Sequence, residues 1–138
     1  MRDSLARSFV AIMIVIAVAS LILRIAIDKI MQVSIAQNES VAQSNLKLIS
    51  AALENYAKVN HGVFPPNLAT LINTTPPFLD KDYIAQPVIK GYNYSCPVLD
   101  ASTYSCVAAP GKCRITGRKI YTVTTGGSLS YEDCSTKE

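Results

Sequence analysis

Residues 9–27 read FVAIMIVIAVASLILRIAI, and residues 28–59 continue as DKIMQVSIAQNESVAQSNLKLISAALENYAKV. Neither stretch contains glycine or proline, and the first glycine of the chain is Gly62. Because helix breakers are missing throughout, the sequence predicts one nearly continuous helix from about Leu5 to Val59. Such a helix spans on the order of 80 Å at about 1.5 Å per residue. That length is far more than a small domain needs.

The apolar run 9–27 is long enough to cross a membrane, because 19 residues at about 1.5 Å each cover a hydrocarbon core of about 30 Å. Arg2 and Arg7 outweigh Asp3 just before the run, as is typical of cytoplasmic flanks, so we expect the remainder to lie on the other side. The alternative is a removable secretory signal, since Ala17-Val18-Ala19 has the form that signal peptidase cuts. We favour retention, because cleavage there would leave an apolar segment at the head of a soluble protein.

Arg24 is the one charged residue inside the run, and it lies four residues before Asp28 on the same helical face. Either it snorkels to the outer interface or it faces a neighbouring subunit, since charges within membranes usually avoid lipid. We predict that one face of this run mediates assembly. The predicted assembly face comprises Phe9, Met13, Ile16, Leu21 and Arg24.

The second half of the helix carries an amphipathic stripe. The stripe comprises Ile35 followed by Ala42, Leu46, Ile49, Leu53 and Tyr56, and we assign the last five to packing between helix and domain. We expect the chain's own carboxyl-terminal segment to cover them, because a stripe this wide would aggregate in water. Opposite the stripe, a solvated face is predicted for Glu39, Lys47, Glu54 and Lys58.

The segment 62–138 has the signals of a small antiparallel sheet. Gly62 is expected to close the helix, Pro65-Pro66 prevents an immediate restart, and Asn67 can cap a short helix over Leu68–Ile72. Thr74–Gly91 is interpreted as an irregular connector. Three strands are predicted by β-branched and aromatic residues: Tyr92–Cys96, Tyr104–Ala109, and Lys119–Thr124 before a Gly126-Gly127 turn.

Four cysteines lie in this segment, Cys96, Cys106, Cys113 and Cys134. An even number in a small domain predicts disulfides and an oxidising compartment. A zinc site is disfavoured, because there is no C-x-x-C pair and the only histidine, His61, is distant in sequence. Three connectivities are open, and we prefer the sequential one, Cys96 with Cys106 and Cys113 with Cys134.

The order of these parts resembles the type IV pilin and pseudopilin superfamily, especially the small pseudopilin-like proteins of type II secretion systems. Seven segments in the expected order carry the resemblance: Phe9 with Met13–Val18, Asn45–Tyr56, Asn60–Pro65, Leu68–Leu71, Gly91–Tyr94, Tyr104–Pro110 and Thr116–Val123. The resemblance implies an α+β fold, in which a long membrane-to-periplasm helix packs against a small antiparallel β-meander.

The resemblance also implies a partition of the chain. Residues 1–8 are a basic cytoplasmic leader-like segment, 9–27 the transmembrane half of the helix, 28–61 its amphipathic half, and 62–138 a disulfide-stapled globular domain. The expected function is that of a structural filament subunit, held in the inner membrane with its domain in the periplasm or outside the cell. Expected partners are further copies, other pilin-like subunits, and the secretion or pilus assembly machinery.

The chain departs from the family pattern at the leader junction. The family is cleaved after a glycine that precedes an aromatic residue, and here Ser8 stands before Phe9. A glutamate expected shortly afterwards is replaced by Met13 or, in a second register with the junction at Ala6-Arg7, by Ala11. The junction candidates are therefore Ala6, Arg7, Ser8 and Phe9. The chain is then unprocessed, processed at a variant junction, or placed where no neighbour needs the glutamate.

Other classes of function are less well supported. The sequence offers no paired carboxylates at useful spacing and no phosphate-binding loop, so we expect no catalytic residues, no metal and no cofactor. A basic surface is formed in sequence by Lys112, Arg114, Arg118 and Lys119. It could attract nucleic acid, but a solvated hairpin is the favoured interpretation. The main alternative to a filament subunit is a single-pass anchored periplasmic adaptor or binding module.

Overall fold

The computed structural model describes residues 2–86 and 88–135, with side chains from Ala6 onward. Met1 and the side chains of residues 2–5 lie outside this description, and with them part of the predicted leader-like segment, including the side chain of Arg2. The elements in chain order are α1 (Arg2–Val59), α2 (Leu68–Asn73), β1 (Tyr92–Leu99), β2 (Tyr104–Pro110), β3 (Lys119–Thr124) and β4 (Ser128–Asp133). The chain divides into two compact units, Met1–Ser34 and Ile35–Glu138.

The prediction of one long helix is confirmed, since α1 runs without interruption from Arg2 to Val59. Its end has the expected chemistry. His61 and Gly62 adopt left-handed φ values of 57° and 84°, and the Gly62 N–H donates to the carbonyl of Ala57 at 2.7 Å. This closure satisfies a carbonyl that the helix would otherwise leave unpaired.

The sheet is a four-stranded antiparallel meander in the order β1-β2-β3-β4. Tyr94 lies opposite Ala108, and Cys106 opposite Val123. The helix residues from Ile35 onward pack against this sheet, and the fold is α+β, as the sequence predicts. Short connections between neighbouring strands account for the simple up-and-down order.

Two details of the sheet correct the sequence analysis. A fourth strand, Ser128–Asp133, was not predicted, and five of its six side chains are exposed. Strand β1 continues past Cys96 to Leu99, with an irregular register between Ser95 and Val98. Pro97 lies inside that irregularity, which tolerates a residue that cannot donate to the ladder.

The core of the Ile35–Glu138 unit lies between the amphipathic stripe and the sheet. Ala42, Leu46, Ile49 and Leu53, to which we assign helix-to-domain packing, are buried in one cluster with residues of the sheet, and Ile35 is only 5% exposed. Tyr56 is half-buried, and its ring packs edge-on against that of Phe78 at 5.7 Å. The sheet contributes four buried tyrosines: Tyr92, Tyr94, Tyr104 and Tyr121.

The short helix α2 closes one side of this core. Asn67 caps it as predicted, since Oδ1 of Asn67 accepts from the Thr70 N–H at 3.0 Å. Leu68 and Leu71 are buried, and Ile72 is half-buried against the same cluster.

Both disulfides follow the preferred sequential pairing. Cys96 is bonded to Cys106, with Cα atoms 3.9 Å apart, and links β1 to β2. Cys113 is bonded to Cys134, with Cα atoms 5.8 Å apart, and joins the loop before β3 to the residue that follows β4. The two crosslinks therefore fasten both edge strands to the middle of the meander.

Candidate functional site

The exposed apolar part of α1 is the principal candidate site. Every described side chain from Ala6 to Ser34 is exposed, including Phe9 at 66% and Leu21 at 62%. The mean hydropathy of the most apolar stretch is 2.8, and no part of that stretch is buried within the chain. Within the described residues, α1 is the one helix that is long and apolar enough to cross a membrane.

The predicted assembly face is accessible on this helix. At about 100° per residue, Phe9, Met13 and Ile16 fall within an arc of about 60°, and the whole set covers about 140°. Leu21 lies at one edge of the arc and Arg24 near its middle. All five side chains are exposed, so the face is free to meet lipid or another helix.

The leader-junction candidates Ala6, Arg7, Ser8 and Phe9 lie in the continuous helix and are exposed. Their processing stays a prediction.

The second half of α1 is tied to the sheet by polar side chains as well as by the stripe. The Asn38 amide donates to the carbonyl of Thr116 at 2.9 Å, and the Arg118 N–H donates to Oε1 of Glu39 at 2.8 Å. Farther along the helix, the Asn45 amide donates to the hydroxyl of Tyr94 at 3.0 Å. These contacts join the helix to the loop before β3 and to β1.

A denser polar cluster joins the far end of the helix to the β3–β4 turn. Tyr104 is 1% exposed, and its hydroxyl donates to Oε1 of Glu54 at 2.9 Å and lies 2.7 Å from the Ser50 hydroxyl. The Gly126 N–H donates to the same Glu54 oxygen at 2.7 Å. The Gly127 N–H donates to the Tyr104 hydroxyl at 3.2 Å. Burial raises the pKa of Tyr104, an effect that the Ser50 hydrogen bond opposes and Glu54 reinforces.

These contacts correct the prediction of a solvated face. Lys47 and Lys58 are exposed as expected, but Glu39 and Glu54 are half-buried and accept backbone hydrogen bonds. The loops on either side of β3 extend over the helix beyond the apolar stripe, and both glutamates lie where these loops reach. The hydrogen bonds of Asn38, Asn45 and Ser50 to the rest of the domain were not predicted from the sequence. The positions of these polar residues beside the stripe are a signal that could have indicated them.

The predicted basic surface is only partly brought together. Arg114 and Arg118 line one cavity of about 380 Å³ with Asp133 and Cys134, and Arg114 has a left-handed φ of 66°. Lys119 instead places its Nζ 4.1 Å from the centroid of the Tyr131 ring. The Lys119 ammonium is therefore attracted to the Tyr131 ring by a cation–π interaction.

A second cavity, of about 480 Å³, lies between α2, the connector and β1. Its lining combines the carboxylates of Asp82 and Asp100 with apolar side chains that include Ile84 and Val98. Oδ1 of Asp82 already accepts from the N–H groups of Ile84 and Ala85. Within residues 2–86 and 88–135, no group of three or more His, Cys, Asp or Glu side chains is arranged to hold a metal ion.

The comparisons with known proteins do not identify a family for this chain. No protein-family model matches this sequence, and no curated protein matches it either. The long apolar helix and the small antiparallel sheet are compatible with a pilin-like architecture, and the seven ordered sequence segments carry the resemblance to that superfamily.

Proposed function

We propose that this protein is a structural subunit of a type IV pilus-like or type II secretion pseudopilus-like filament, which assembles through its amino-terminal helix. One observation carries the proposal: the residues Ala6–Ser34 form a helical segment, apolar over residues 9–27, whose described side chains are all exposed. Apolar area of this extent is strongly unfavourable in water. The helix therefore requires lipid, other helices, or both.

The chemistry of the rest of the chain supports the same proposal. The Ile35–Glu138 unit has its own core and two disulfides, which suit a domain in an oxidising compartment. Basic residues before the apolar run favour a cytoplasmic amino terminus. The proposed location is therefore the inner membrane, with the domain in the periplasm or outside the cell. Partners would be further copies or other pilin-like subunits, together with an assembly machinery.

The run 9–27 contains no Asp or Glu, so the family's charge pairing between a new amino terminus and a glutamate is not available within it. A buried ammonium without its partner would cost several kcal/mol. We therefore propose that this chain is a subunit whose amino terminus does not pair with a glutamate of a neighbour, such as one at a filament tip.

A second candidate function is a single-pass anchored adaptor or binding module that does not form filaments. The observation that favours it is the cavity of about 480 Å³ beside α2, whose mixed apolar and acidic lining suits a small ligand or a peptide. In this case α1 would need lipid alone.

The substitution Leu21→Glu separates the two candidates. A charged side chain at bilayer depth costs about 2.5 to 3.5 kcal/mol on insertion scales, and Leu21 lies on the predicted assembly face. We expect the variant to block filament assembly, measured by electron microscopy of sheared cell-surface material and by chemical crosslinking in membranes. The matched control is Val59→Glu, at a site 69% exposed near the other end of α1, which should still insert.

Two results would contradict the proposal. One is normal insertion and assembly of Leu21→Glu. The other is a wild-type protein that inserts but shows no crosslinked oligomer, which would favour the anchored adaptor. Mass spectrometry of the mature amino terminus would also show which of Ala6, Arg7, Ser8 and Phe9 flank a cleaved junction.

A further inference from the structure

A loop with an exposed isoleucine and exposed cations lies beside the first turns of α1 within the Ile35–Glu138 unit. The loop Lys112–Arg118 contacts the helix within four residues of Ile35, through the bond from Asn38 to Thr116 and the bond from Arg118 to Glu39. The polar contacts to Tyr94 and Tyr104 lie progressively farther along α1. The loop therefore contacts the helix residues of this unit that lie nearest, in sequence, to the apolar run.

Backbone hydrogen bonds and a disulfide hold the loop Lys112–Arg118. The Arg114 N–H donates to the carbonyl of Gly117 at 2.7 Å, and the Ile115 N–H donates to the carbonyl of Lys112 at 3.1 Å. Cys113 is fastened to Cys134 by a disulfide. Gly117 allows close packing, since a Cβ there would collide with the hydroxyl of Tyr92. The tip is thus presented without an ordering cost at the moment of binding.

The loop combines an exposed apolar side chain with exposed cations close to it in sequence. Ile115 is 58% exposed, and Lys112, Arg114 and Arg118 of the same loop are exposed. A neighbouring turn adds Lys90, because Gly91 packs so closely that a Cβ there would lie 2.7 Å from Cβ of Thr116. Residues 112–118 contain no acidic side chain.

The nearby carboxylates leave most of this positive charge available. Glu39 is half-buried and accepts from the backbone of Arg118, and Asp133 lines the same cavity as Arg114 and Arg118. Neither lies in the loop itself. Lys119 faces Tyr131 and is not counted with the tip.

We propose that the loop Lys112–Arg118 docks on the anionic phospholipid headgroups of the membrane that holds α1. Ile115 inserts between the headgroups, and the surrounding cations pair with phosphates. An exposed apolar side chain together with exposed Lys and Arg is the chemistry that binds to anionic lipid surfaces. Only residues 28–34 separate the apolar run from Ile35, so the loop is tethered to this surface at high effective concentration. The inference rests on the proposed membrane anchor.

The test uses the full-length chain in vesicles and a single introduced tryptophan, since the natural sequence contains none. The reporter is Ile115→Trp, measured by emission maximum and by quenching from brominated lipids. Leu21→Trp reports insertion of the apolar run, and Val63→Trp, at a site 47% exposed after the end of α1, reports a position expected to stay in water. Each protein is compared in vesicles that contain phosphatidylglycerol and in vesicles of phosphatidylcholine alone.

We expect Leu21→Trp to be quenched in both membranes and Ile115→Trp to be quenched only in the anionic one. Adding Arg114→Gln and Arg118→Gln to the Ile115→Trp chain should weaken the contact by about fivefold for each cation removed. The control pair Lys47→Gln and Lys58→Gln removes the same charge from an exposed helix surface and should leave the quenching unchanged. High salt should weaken the contact.

Three outcomes would overturn the inference. If Leu21→Trp is quenched and Ile115→Trp behaves like Val63→Trp, the loop does not touch lipid and the anchor still stands. If Leu21→Trp is not quenched, the anchor fails and the inference fails with it. If Ile115→Trp shifts to shorter wavelength without quenching by brominated lipid, the tip is covered by protein.

Discussion

The two halves of α1 share one backbone conformation and differ in what covers them. From Ala6 to Ser34 the apolar side chains surround the helix and are exposed. From Ile35 to Val59 a single stripe is apolar, and the sheet buries it. A helix that is apolar all round needs a partner all round, whereas a striped helix needs only one packed surface. The pattern of hydrophobicity, more than its amount, thus decides what the chain can cover by itself.

The largest expected difference between the halves comes from truncating a leucine in each. Leu53 is fully buried, so Leu53→Ala should lower the free energy of unfolding of the domain by about 2 to 5 kcal/mol. Leu23→Ala, at a site 62% exposed, should leave it unchanged. Urea denaturation of the full chain in detergent, followed by circular dichroism, measures both. Equal losses would mean that the halves do not differ as described.

Removing a crosslink should weaken only the covered half. The double substitution Cys113→Ser and Cys134→Ser opens a loop with a sequence separation of 21 and should cost about 3 kcal/mol in the chain-entropy model. The domain should unfold at lower urea, and detergent-solubilised α1 should keep the helix content of residues 6–34. Non-reducing peptide mapping of the wild type provides the control. Free thiols there, or a link between Cys106 and Cys113, would refute the pairing.

A smaller effect is expected from the polar cluster that ties α1 to the β3–β4 turn. Glu54→Ala removes the acceptor for the Tyr104 hydroxyl and the Gly126 N–H, which should cost about 1 to 3 kcal/mol. Lys58→Ala, one turn away on the exposed surface, should stay within about 0.5 kcal/mol of the wild type. Thermal or urea unfolding of the matched pair measures the difference. Equal free energies of unfolding for the two variants would mean that Glu54 behaves as a solvated surface residue.

The smallest effect is a loss of stability at high pH that belongs to the covered half alone. Burial, followed by the charge of Asp80, raises the pKa of Tyr83 from 10.0 to about 12. The unfolded phenol ionises first, so the contribution of Tyr83 to the free energy of unfolding should be constant below pH 10 and be lost as the pH rises toward about 12. Burial raises the pKa values of Tyr92, Tyr94, Tyr104 and Tyr121 in the same direction. Tyr83→Phe should make the fall shallower, and an identical pH profile would contradict the shift.

The sequence was most informative where one physical signal dominated. Missing breakers predicted α1 to its last residue, and the stripe predicted the buried face from Ala42 to Leu53, because periodicity and burial are directly linked. The sequential disulfide pairing was the preferred one of three connectivities, since short loops close easily in a meander, and it is the pairing observed. These features depend on local sequence or on short separations.

The features that were missed depend on tertiary contacts. Strand β4 carries mostly polar, exposed side chains and has only Leu129 partly packed, so alternation gave little signal. Pro97 argued against extending β1, and the irregular register that accommodates it cannot be inferred from the residue itself. The roles of Glu39 and Glu54 arise from loops more than 70 residues away in the chain, which helical periodicity does not describe.

We propose that the exposed half of α1 meets other copies of the chain within a membrane. A photo-crosslinking amino acid at Ile16, on the predicted assembly face, is compared with the same group at Val59. We expect crosslinked dimers and higher oligomers from the Ile16 position in native membranes, and their loss when Leu21→Glu is added. Crosslinks from Ile16 to lipid alone, with the protein remaining monomeric, would contradict it.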